Sequence, residues 1–128
     1  MILDEKEFET MVWAAYEEIP PRFKDEMENV DILIEATPNP AQMKYVESHG
    51  FLLGLFEGVP KTAWGQATMG VQPSRITLFR DTILSMCGTR EQLQNKIKEV
   101  LMHEIGHYFG YKEDEIRELD RKFRKKLD

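Results

Sequence analysis

The chain is short of cysteine, of histidine and of long apolar runs, and it carries no surplus of basic charge. Each shortage excludes a class of protein. A single cysteine, Cys87, cannot close an internal disulfide, so the 128 residues are not a disulfide-stapled scaffold. No stretch approaches the roughly 18 uninterrupted apolar residues that a membrane span needs. The opening Met1-Ile2-Leu3-Asp4-Glu5 lacks the cationic start of a secretory signal. The expectation is a cytoplasmic protein with no membrane partner. With 17 basic against 23 acidic residues the net charge is −6, the wrong sign for neutralising phosphates, so no nucleic acid is expected as a partner.

What is present points to one globular domain over residues 1–128. Hydrophobic residues make up 41 % of the chain, enough for a single core, and 31 % charged residues supply its surface. With disulfides excluded, a bound metal is the other staple open to so short a chain. Two of the three histidines lie four residues apart.

Periodicity places the elements. Phe8, Met11, Val12, Ala15, Tyr16 and Ile19 recur at helical spacing behind Asp4 as N-cap, and Pro20-Pro21 ends that helix before a short helical turn through Phe23 and Met27. Val30 to Glu35 and Phe51 to Phe56 read as strands. Arg75 to Arg80 reads as a third, with Thr82 to Met86 extending that region. This third strand is read either as an edge to which an extended peptide adds or as an ordinary edge blunted by its arginines. Lys61 to Pro73 has no period and reads as a long loop of functional length. Thr89 with Gln92 forms a capping box, and Leu93, Ile97, Val100, Leu101 and Ile105 carry a long helix to about Phe109. Gly110 can stop that helix in the left-handed region. Glu113-Asp114-Glu115 opens a last helix with Ile116, Leu119, Phe123 and Leu127 on one stripe, acidic at its start and basic at its end.

The long helix contains His103-Glu104-Ile105-Gly106-His107. A spacing of four puts two imidazoles on one helical face, one turn apart, where both can grip a tetrahedral zinc ion, with Glu104 beside them facing a bound water. The three residues fall at the border of the apolar stripe, where a partly enclosed cleft would lie. A helix bearing two ligands must stop for a third to swing back, and the turn at Gly110 allows an oxygen from Glu113 or from Asp114 to do so. Glu113 is preferred, because longer zinc-protease motifs place a histidine or aspartate at its position.

The run His103 to Glu118, HEIGHYFGYKEDEIRE, resembles the HExxHxxGxxD/E signature of the small bacterial zincin-like metallopeptidases, and the chain has about that family's length. The resemblance implies an α+β fold of minimal zincin type. In it a small mixed sheet packs against the active-site helix, with helices at both termini. It further implies zinc on His103, His107 and an acidic third ligand, with Glu104 as catalytic base. The departure from larger zinc proteases is that the third ligand is acidic rather than histidine.

The function expected is therefore zinc-dependent hydrolysis of a peptide bond in a peptide or protein substrate, by a zinc-held water that Glu104 activates. The alternatives are a zinc hydrolase of a non-peptide bond, such as an amide or a phosphodiester, and a non-catalytic domain whose zinc ties the last two helices together. Tyr108, Tyr111 and His49 are the candidates for oxyanion stabilisation. Cys87 reads as a small buried residue, Met86 as a core residue, and Arg121 to Lys126 as the solvated, dipole-complementing end of the last helix.

Overall fold

In the computed structural model, residues 2–27, 30–44, 52–58 and 74–127 are described, the side chains of 120 and 123–127 excepted. Asp4 accepts from the backbone N–H of Lys6 at 2.7 Å and so opens helix α1 (Glu5–Glu17), which buries Phe8, Met11, Val12 and Ala15. Pro20 and Pro21 separate it from the single turn α2 (Pro21–Lys24). Strand β1 (Val30–Glu35) follows, and then a second short helix, α3 (Pro40–Met43).

Strand β2 spans Gly54–Glu57, and strand β3 spans Ser74–Phe79. Together with β1 they form a three-stranded sheet in the order β1-β3-β2, parallel on one side of β3 and antiparallel on the other. Helix α4 (Arg80–Ser85) leaves the sheet directly, and α5 (Arg90–Tyr108) and α6 (Glu113–Leu127) complete the chain. The fold is α+β, with a mixed sheet packed against α5. Among the described residues no helix is long and apolar enough to cross a membrane.

The core lies between α1, α5 and one face of the sheet. Phe8, Val12, Ile76, Leu78, Ile97 and Leu101 are all fully buried there. Burying each such side chain contributes about 1.5–3 kcal/mol, so this layer is what fixes α5 against the strands. An ion pair between buried Lys98 and exposed Glu18 ties α5 to the end of α1.

Four expectations are corrected. Among the described residues the strand expected over Phe51 to Phe56 is formed at Gly54–Glu57, and Leu52 and Leu53 precede it without strand structure, Phe51 lying outside the described residues. Thr82 to Met86 does not extend a strand: Ile83, Leu84 and Cys87 sit at helical spacing, and burying all three turns the segment into α4. β3 is not an edge, because β1 and β2 flank it on either side, and Ile76, Thr77, Leu78 and Phe79 are buried in succession as in an interior strand. Met86 is 44 % exposed, because it caps the end of α4 outside the core. The segment Lys61 to Pro73 lies outside the described residues.

Candidate metal centre

Helix α5 begins where Thr89 accepts from the N–H of Gln92 at 3.1 Å, while the Gln92 side chain accepts from Gly88. The apolar positions Leu93, Ile97, Leu101 and Ile105 bury one stripe of it. That burial leaves His103 and His107 at the rim of the core, with side chains 40 % and 37 % exposed. Their Nε2 atoms converge to 3.2 Å.

The C-terminus of α5 then reverses sharply. Gly110 adopts φ 77°, its N–H donates to the carbonyl of His107 at 3.0 Å, and the N–H of Tyr111 donates to the carbonyl of Gly106 at 3.0 Å. This is the Schellman pattern, which satisfies the last carbonyls and needs a glycine at the left-handed position. The chain re-enters a helix at Glu113, whose Oε1 lies 3.7 Å from Nε2 of His103 and 3.5 Å from Nε2 of His107. Asp114 is turned into a separate surface pocket lined by Tyr111, Glu115, Glu118 and Leu119.

Three donor atoms thus form a triangle with edges of 3.2, 3.5 and 3.7 Å. A tetrahedral zinc with ligand distances of about 2.0–2.1 Å imposes edges of about 3.3 Å between its ligands. Two imidazoles and one carboxylate are also the donor chemistry of an open zinc site. The residues fit the ion.

Glu104 is buried one position along the helix. Its Oε1 accepts from the backbone N–H of Phe56 on β2 at 2.9 Å. Loss of hydration pushes its pKa up to about 7, with the Glu113 carboxylate adding to the rise and the Phe56 N–H opposing it. Burial, helped by the neighbouring His103, lowers the pKa of His107 and favours the neutral imidazole that a metal needs. One potential donor atom from each of His103, Glu104 and His107 lies within 4.8 Å of the other two.

The three side chains open onto a groove of about 510 Å³. One wall is Leu52 to Phe56, the other is the α5 face carrying Glu99, Val100, His103, Glu104 and His107. β2 approaches α5 closely because Gly54 has no side chain: a Cβ there would lie 2.7 Å from Cγ1 of Val100 and 3.3 Å from Cγ of Glu104.

Other candidates fall elsewhere. Tyr108 is fully buried and its hydroxyl donates to the carbonyl of Glu26 at 3.3 Å, so it is a core residue and not an oxyanion donor. Tyr111 stacks on Phe109 and lines the pocket that holds Asp114. His49 lies outside the described residues. Cys87 is buried, and its thiol pKa is raised by that burial. Arg121 and Lys122 are exposed on α6. Sequence reasoning missed Phe56 and Gly54, since a backbone donor and an absent side chain leave no mark in a motif.

Comparison with known proteins agrees with this architecture. The profile of the zincin-like metallopeptidase family matches residues 27–122, and the chain belongs to that family. A solved structure of a conserved hypothetical protein from T. thermophilus is similar at 22 % identity, with a TM-score of 0.57, over 84 % of this chain and 94 % of that one. At that identity the likeness concerns the fold. No curated protein sequence matches the chain.

Proposed function

We propose that the protein is a zinc-dependent peptidase in which His103, His107 and Glu113 hold the metal and Glu104 is the general base. A zinc ion bound there supplies a Lewis acid that acidifies water, polarises a carbonyl and favours the ionised form of Glu104. Glu104 then takes a proton from the attacking water and passes it to the leaving amine, while the Phe56 N–H holds the carboxylate in place.

The observation that carries this reading is that three donors converge at the rim of an open groove with a buried, hydrogen-bonded carboxylate beside them. A structural zinc site is closed by four protein ligands, whereas here His103, His107 and Glu113 would supply three, beside a groove that His103, Glu104 and His107 line.

Two features favour a peptide substrate. Among the described strands β2 is the sheet edge along the groove, and because Leu53 accepts from Phe79, the alternation of an antiparallel pair turns outward the backbone groups of Gly54 and the carbonyl of Phe56, whose N–H is held by Glu104. An extended peptide can add to such an edge, so β2 and not β3 is the strand open to strand addition. Among the described residues the groove is lined by Leu52, Leu53, Leu55, Phe56 and Val100 with no lysine or arginine, which disfavours a phosphodiester.

The test is digestion of a peptide mixture by zinc-loaded wild type and by Glu104→Gln, read by mass spectrometry together with metal content. The expected result is cleavage by wild type only, with equal zinc in both. Equal cleavage by the variant overturns the role of Glu104, and no cleavage of any peptide by zinc-loaded wild type overturns the peptidase reading.

A further inference from the structure

Gly106 stands at a variable position of the motif, yet its environment leaves room for nothing larger. A Cβ built there would lie 2.7 Å from Cγ1 and 3.1 Å from Cδ1 of Ile116, a buried residue of α6. Among the described glycines positive φ occurs at Gly58 and Gly110, so position 106 needs space and not an unusual backbone. Alanine would in fact be the better helix former there.

Ile116 follows Glu113 by three residues on the same helix, so the two lie on one face about one turn apart. The depth to which Ile116 sinks onto α5 therefore governs how near the Glu113 carboxylate comes to the two imidazoles. The Gly110 turn fixes where α5 stops; it does not fix how closely α6 lies against it.

We propose that Gly106 is a positioning residue for the metal centre: by carrying no side chain it seats Ile116, and through α6 it sets the reach of Glu113. The proposal rests on the reading of Glu113 as a residue that holds the metal. Its consequence is that one methyl group at position 106 weakens metal binding without touching a metal-holding atom.

The experiment measures zinc affinity by competition with a chromophoric chelator, using the full chain, with circular dichroism to confirm folding before zinc is added. Gly106→Ala is expected to bind zinc at least about tenfold more weakly than wild type, the range found when a supporting residue is lost. The double variant Gly106→Ala, Ile116→Ala should recover most of that loss, because Cβ of Ile116 lies 3.6 Å from the added Cβ, an ordinary contact. In a Glu113→Gln background, Gly106→Ala should cause no further weakening, since the route through Glu113 is already cut.

Wild-type affinity in Gly106→Ala, or an equal loss in the Glu113→Gln background, overturns the proposal. If Glu113→Gln alone binds zinc as wild type does, the assignment of Glu113 fails first. If Gly106→Ala does not fold, the double variant is compared with Ile116→Ala alone. Tighter zinc binding by the double supports the proposal, and equal or weaker binding overturns it.

Discussion

The backbone N–H of Phe56, on the outer strand of the sheet, donates to Oε1 of Glu104, on the motif helix, at 2.9 Å. The bond joins the two walls of the groove at the residue proposed as base. It also supplies a fixed donor to a carboxylate that burial strips of water.

A first prediction concerns pH in the metal-free protein. The folded-state pKa of Glu104 lies at about 7, above its ordinary 4.5, so the native state binds this proton more tightly than the unfolded chain. Its contribution to stability is complete below about pH 4.5 and is lost as pH rises through about 7. Gln at 104 keeps the acceptor for Phe56 and carries no charge to desolvate. In chelator, urea unfolding should show Glu104→Gln close to wild type at pH 4.5 and more stable by up to about 3 kcal/mol at pH 8. Parallel pH profiles for the two proteins would contradict this.

A second prediction separates the two candidate third ligands. Glu113→Gln should weaken zinc binding by at least about tenfold, while Asp114→Asn, directed into another pocket, should bind zinc within about twofold of wild type. Competition titrations decide it. A larger loss at Asp114 would exchange the two assignments.

Metal removal gives a third. The main apolar core, with Phe8, Ile76, Ile97 and Leu101, is buried away from the rim where the histidines sit, so the protein should stay folded in chelator. Zinc at about 100 times its Kd should raise stability by about 2.7 kcal/mol and the Tm by roughly 10 °C. Circular dichroism on heating checks both statements, and loss of helical signal on chelation at 25 °C would point to a structural metal instead.

The close approach of Gly54 to α5 supplies a fourth. Gly54→Ala would force its methyl against Val100 and should destabilise the protein by about 1–3 kcal/mol in urea unfolding. Shortening the neighbour, in Gly54→Ala with Val100→Ala, should be less destabilising than the sum of the two single changes. Simple additivity would mean that the strand does not press on the helix at this point.

Some of the fold was legible locally. The pattern from Phe8 to Ile19, the cap at Thr89, the stop at Gly110 and the start at Glu113 all appear where spacing and capping place them. Two short helices carry weaker local signals. Asn39-Pro40 with Gln42 is a capping box with proline at the first helical position, and Ile83, Leu84 and Cys87 have helical spacing. The interior place of β3 was also marked, by the unbroken run from Ile76 to Phe79.

By itself, the sequence determined everything that depends on neighbours within about a turn. The four-residue spacing puts His103 and His107 side by side, Glu104 follows on the helix, and Gly110 lets the chain turn back, because helical period and capping are short-range properties. Only the tertiary structure decided which strand lines the groove, that the Phe56 N–H holds Glu104, and that Glu113 faces the imidazoles while Asp114 does not. Those outcomes depend on how deeply Gly54 and Gly106 let β2 and α6 settle against one helix. Packing between distant segments sets that depth, and no periodicity along the chain encodes it.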